Sequence, residues 1–209
     1  IEGKASMILD MSGLAQKGGA VLSHVRLSQN TEEVTCSRIV TGTADLLLAA
    51  DEVVAVAKES ISLCEAQRTQ GIINTHLIPI ADFIRNRDFD FQRGKVNHVL
   101  EASLRPNSTF FDFTHVAESL LGDTIATNIM MMGYAYQKGL LPVSAEAIEQ
   151  AIGVNGVSVK MNTLAFRLGR LAFVDPSRVA AMLTDETAPA KTPAEMTLDE
   201  LIAHRAGHL

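Results

Sequence analysis

Apolar positions recur in two rhythms along this chain, as short runs in the first half and at helical spacing in the second. Ser6 to Met11, Ala20 to Ser28, Asp45 to Ala49, Gly71 to Asn74 and Thr109 to Phe113 are apolar runs bounded by turn residues, and each is a predicted strand. Asp45 to Ala49 is nearly continuous in apolar residues, as a strand covered on both faces requires, whereas Ala20 to Ser28 alternates and is placed nearer an edge. After Asp51, whose carboxylate suits an N-cap, Val53, Val54, Ala57, Ile61 and Cys64 form one apolar stripe. Strand then helix is a βα unit. The expected fold class is α/β, a three-layer α/β/α arrangement around a mostly parallel or mixed sheet, with a helical C-terminal half.

From Thr114 the spacing is helical throughout, punctuated by Gly122, Gly139 and Pro142. Asp123 is placed to cap a helix with Ile125, Ile129, Met132 and Tyr136 on one stripe and Gly139 at its stop. Ser144 opens the next, with Ile148, Ala151 and Ile152 facing inward. Beyond Asn155-Gly156 a further helix carries Val157, Met161, Leu164 and Leu168, and Asp175-Pro176 restarts the chain with proline at the first helical position. Thr184 to Met196 holds two prolines and three threonines and reads as a linker. Thr197 to Glu200 is a capping box opening a last helix. The expected organisation is thus one domain over residues 1–183, a linker over 184–196, and the first helix of a following region over 197–209.

Composition supports a folded core, with 47% hydrophobic and 20% charged residues. Twenty-four acidic against 18 basic residues leave a net charge of −6, which disfavours nucleic acid or an anionic membrane as partner. The longest apolar stretch, Ile125 to Leu141, is interrupted by Asn128, Gln137 and Lys138, so no membrane span is expected. Cys36 and Cys64 form neither a C-x-x-C motif nor a disulfide framework, which with eight methionines points to a cytoplasmic protein. The opening Ile1-Glu2-Gly3-Lys4 has no initiator methionine, and the chain is expected to be cut from something longer.

Gln16-Lys17-Gly18-Gly19 lies between two predicted strands, where paired glycines permit close backbone approach to a ligand and Lys17 can meet an anion. A tight turn with a solvated lysine accounts for the same residues. His24 shares a strand face with Arg26, so both can project toward whatever that turn approaches, or lie at a solvated edge. Neither G-x-G-x-x-G nor G-x-x-x-x-G-K-[ST] occurs, so neither usual nucleotide loop is supported. His76, His98, His115, His204 and His208 lack zinc-ligand spacing. Two thiols fall short of the roughly four that an iron–sulfur cluster needs. No G-x-S-x-G elbow or paired carboxylates stand out. Met130, Met131 and Met132 read as core filling, and Asn162 and Arg170 as anchors of their helix to the sheet or to a partner.

Leu14-Ala15-Gln16-Lys17-Gly18-Gly19-Ala20-Val21 followed by Ser23-His24-Val25-Arg26 resembles the gamma-type domain of 2-oxoacid:ferredoxin oxidoreductases, and most resembles the indolepyruvate branch. Ala44 to Asp51, Leu121-Gly122-Asp123 to Asn128, Gly133 to Gly139, and Asn162 to Phe166 with Gly169 extend the likeness over most of residues 1–183. The resemblance implies an enzyme that oxidatively decarboxylates an aryl 2-oxoacid on thiamine diphosphate, passes electrons through iron–sulfur clusters to ferredoxin and releases an acyl-CoA. It implies further that these cofactors sit on other domains or subunits of the same enzyme, that the whole is a homo-oligomer, and that this domain walls the active-site region. The isolated chain is then expected to be inactive. Gln16, Lys17, Gly18, Gly19 and His24 match the family's glycine loop and the strand after it and become the expected contact residues. The family's first strand and its Gly-Thr-Gly-Gly-type loop would precede Ile1. Two other readings of the residues are a stand-alone small-molecule or nucleotide-binding module and a purely structural assembly domain.

Overall fold

The computed structural model describes residues 1–12, 21–76 and 93–186. In chain order its elements are β1 (Ala5–Ser12), β2 (Val21–Ser28), β3 (Leu46–Ala49), α1 (Glu52–Ala55), α2 (Lys58–Ile61), β4 (Gln70–Asn74), α3 (Arg93–Ser103) and β5 (Thr109–Phe111). The helical half follows as α4 (Phe113–Leu121), α5 (Thr127–Gln137), α6 (Ala145–Asn155), α7 (Val159–Val174) and α8 (Pro176–Glu186). β3, β4 and β5 form a parallel sheet with β4 at its centre.

Ile72 and Ile73 on β4 decide the layering. Neighbouring strand residues point to opposite faces, and both isoleucines are fully buried, so each face of the sheet must be covered. Ile73 packs with Ala49 of β3, Ala55 of α1, Leu100 of α3 and Leu104 directly after it. Ile72 packs with Phe113, Val116, Met130, Met131 and Val179 from α4, α5 and α8. The result is the expected α/β/α sandwich. β1 and β2 stand apart from this sheet as an antiparallel hairpin, in register from Ala5↔Ser28 to Ser12↔Val21. Among the described residues the sheet is therefore parallel, and the alternation of residues 20–28 belongs to the hairpin and not to its edge.

The stretch after Asp51 corrects one expectation. Asp51 caps as predicted, its Oδ1 accepting from the backbone N–H of Val53 at 2.7 Å and of Val54 at 3.3 Å. The chain then turns extended at Ala57 (φ −57°, ψ 144°), so the single predicted helix is two short ones, α1 and α2. Ser60 Oγ donates to the Val54 carbonyl at 2.9 Å, giving the interrupted turn a partner that a continuous helix would have made redundant. Asp51→Ala should cost about 1 kcal/mol, read as a lower urea midpoint. A midpoint equal to the parent's would show that the cap contributes nothing.

In the helical half the stops are those expected, with Gly122, Gly139 and Gly156 at φ of 74°, 81° and 73°, in the left-handed region that glycine enters without strain. The buried faces differ from the predicted stripes. Ile125, Val157 and Leu164 are exposed, as is Ala151, whereas Met130, Met131 and Ala135 of α5 and Ala165, Phe166, Leu168 and Ala172 of α7 are buried. Within α5 and α7 the reason is their close crossing. A Cβ built on Gly133 would lie 2.0 Å from the Phe166 carbonyl oxygen, and one on Gly169 would lie 1.9 Å from that of Met130. Each glycine admits the other helix's backbone, so small residues occupy the crossing and bulkier ones its flanks. Arg170 ties the same pair, donating from Nε to Gln137 Oε1 at 2.9 Å with its guanidinium 5.3 Å from the Tyr136 ring. Its anchor is thus to a helix and not to the sheet, and Asn162 Nδ2 closes the start of its own helix on the Val157 carbonyl. α8 continues through Thr184 to Glu186, so the predicted linker is helical at its first residues. The remainder of the linker and the last predicted helix lie outside the described residues. No helix among the described residues is long and apolar enough to cross a membrane.

Candidate functional site at the carboxyl edge of the sheet

In open α/β sheets, ligands gather at the carboxyl ends of parallel strands, where loops replace the ladder. Here β3 ends at Ala49, β4 at Asn74 and β5 at Phe111. Asn74 is buried and stitches the three endings together. Its Nδ2 donates to the Ala50 carbonyl at 3.0 Å and to Thr114 Oγ1 at 2.9 Å. Its Oδ1 accepts from the backbone N–H of Phe113 at 3.0 Å and of Thr114 at 3.3 Å, two donors that the first turn of α4 leaves free. Thr127 Oγ1 lies 3.4 Å from Thr114 Oγ1 and extends the network to α5.

Beside Asn74 the edge carries a histidine held by a carboxylate. His76 Nδ1 lies 3.2 Å from Asp112 Oδ1 and 3.3 Å from Oδ2. Asp112 Oδ1 also accepts the His115 backbone N–H at 2.8 Å, so the same carboxylate caps α4. A carboxylate that accepts from a backbone N–H presents acceptors to the imidazole, so Nδ1 is the nitrogen that donates to it, and in the neutral ring the lone pair is then on Nε2. The strand predicted over Thr109 to Phe113 ends two residues early, at Phe111, because Asp112 leaves the ladder to cap a helix that Phe113 begins. That misplaced boundary hid Asp112 inside an aromatic run. The signal that marks it is a lone aspartate followed by helical spacing, and for His76 a polar Asn-Thr-His directly after two isoleucines.

The residues singled out from sequence lie elsewhere. Gln16, Lys17, Gly18 and Gly19 fall outside the described residues; Ser12 and Val21, on either side of that stretch, are paired across the hairpin. His24 is described and fully buried. Its Nδ1 accepts from the Ile39 backbone N–H at 2.9 Å, so its proton is on Nε2, a buried atom with no hydrogen-bond partner among the described residues. Arg26 Nη1 donates to the Cys36 carbonyl at 3.0 Å. The two side chains expected on one face do share it, and they grip residues 36–39. On the opposite face Ile8, Val21, Val25 and Leu27 are exposed. Cys36 is exposed, and burial pushes the thiol of half-buried Cys64 up, which disfavours the thiolate that a metal would need. Among the described residues no three His, Cys, Asp or Glu side chains are grouped to hold a metal ion.

A family model described as pyruvate ferredoxin/flavodoxin oxidoreductase matches residues 1–172. Among solved structures, the gamma subunit of a keto/oxoacid ferredoxin oxidoreductase from Geobacter sulfurreducens PCA is similar, with a TM-score of 0.53 and 22% identity over 83% of this chain and 82% of that one. At that identity the likeness establishes the fold. No curated protein matches the chain.

Proposed function

This chain belongs to the pyruvate ferredoxin/flavodoxin oxidoreductase family, and on that premise we propose that it is the gamma-type domain of an enzyme acting on an aryl 2-oxoacid. The reaction is oxidative decarboxylation of a substrate of the indolepyruvate kind to an acyl-CoA, with electrons leaving to ferredoxin. The observation that carries this reading is the length of the family match, which runs from the hairpin through the parallel sheet into α7. The aryl preference rests on the likeness of Leu14 to Val21 and Ser23 to Arg26 to the indolepyruvate branch. Two separated cysteines, one of them held as a thiol by burial, do not fit an iron–sulfur cluster. The family resemblance implies that clusters, thiamine diphosphate and coenzyme A are held by the remaining domains or subunits, and that this domain walls the active-site region and helps assemble it.

Gln16, Lys17, Gly18, Gly19 and His24 are the proposed contacts, acting by position and not by proton transfer. In the intact enzyme the Lys17→Ala, Gly18→Ala double variant should lower 2-oxoacid-dependent ferredoxin reduction by about tenfold or more, since small misplacements near reacting groups are costly. Unchanged activity in a folded double variant would remove that site. Comparing kcat/KM for indolepyruvate, pyruvate and 2-oxoglutarate tests the substrate class, and a preference for either of the latter two would overturn the aryl reading.

A further inference from the structure

We propose that His76 accepts a proton from a neutral hydroxyl or thiol group of a ligand seated at the carboxyl edge of the β3–β4–β5 sheet. Three observations converge on it. Asp112 holds Nδ1 at 3.2 and 3.3 Å, which fixes the ring and directs basicity to Nε2. The His76 side chain is 30% exposed, enough for a ligand to reach. The histidine follows the central strand at the end where loops, and not ladder partners, face outward. In the transfer the ligand's O–H or S–H bond breaks, its electron pair stays on oxygen or sulfur, and the proton forms a bond with Nε2. The imidazolium so produced lies against the Asp112 carboxylate. Among the described residues, Asp51 and Asp112 put carboxylates on this edge, which favours a neutral protic group over an anionic one.

The test uses the intact oxidoreductase, and its activity arm rests on the function proposed above. His76→Ala should lower turnover at least tenfold and KM little, with part of the loss restored by added imidazole. His76→Gln should be as impaired, which separates the role from simple packing. Turnover within twofold of the parent in either variant, or a loss that imidazole does not touch, would overturn the proposal. A second arm needs no activity. Diethyl pyrocarbonate should modify His76, located by mass spectrometry, and Asp112→Asn should slow that modification several-fold relative to exposed His115. Asparagine caps a helix as well as aspartate does, so the fold is kept. Equal rates with and without the Asp112 carboxylate would overturn the proposal, whereas a parent lacking 2-oxoacid-dependent turnover would overturn only the function reading.

Discussion

Replacing Gly169 with alanine should lower stability by about 3 kcal/mol, near the upper end of what forced overpacking costs. The added methyl would fall 1.9 Å from the Met130 carbonyl oxygen, a backbone atom that cannot swing aside as a side-chain tip can. α5 and α7 must then move apart, opening the cluster of Met130, Met131, Ala165 and Ala172 that both helices line. For a chain of this size the loss corresponds to a fall in Tm of about 6–12 °C. Gly133→Ala should behave alike, because its methyl would meet the Phe166 carbonyl oxygen at 2.0 Å. The double variant should cost less than the sum of the two, since one separation of the helices relieves both clashes. Gly153 on α6 is the control, with nothing within 4 Å of an added Cβ, and its change to alanine should gain up to about 1 kcal/mol. Equal, small effects at all three glycines in urea unfolding would show that the crossing is looser than described.

Asn74→Ala should cost about 2–4 kcal/mol. The substitution leaves the Ala50 carbonyl, Thr114 Oγ1 and the Phe113 and Thr114 N–H groups without the partner that satisfies them, and a buried polar group left unpaired costs about 1–3 kcal/mol. Not every orphaned group pays in full, because the first turn of α4 can shift toward solvent. Asn74→Asp keeps the acceptor for the two N–H groups and removes both donors, so the pair of variants divides the network into halves. Denaturation of Asn74→Ala indistinguishable from the parent's would mean that the strand endings are held by packing alone.

The five strand positions were legible because each is a short apolar run between turn residues, and the caps at Asp51 and Ser144 were legible because an acceptor side chain directly precedes helical spacing. The helix faces were not legible, because size decides them. Large apolar residues suggest the helix faces, yet α5 and α7 meet through glycine and alanine, so Leu164 points outward while Ala165, Phe166 and Gly169 face the crossing, and Val157 lies before the helix begins. The carboxyl-edge site was missed for a different reason. His76 and Asp112 are far apart in the chain, and only the parallel pairing of β4 with β5 makes them neighbours. Motif spacing, which looks for ligands at fixed intervals along the chain, has no means of finding a two-residue constellation assembled by sheet order.

The close crossing of α5 and α7 also bears on the order in which the molecule forms. The two helices are joined through α6 alone, so their contact closes a short length of chain, whereas β4 must find β5 across the whole of residues 75–108. Short closures cost less entropy and are reached sooner. The α5–α7 contact is therefore expected to form before β4 pairs with β5, so that the edge carrying His76 and Asp112 is completed late.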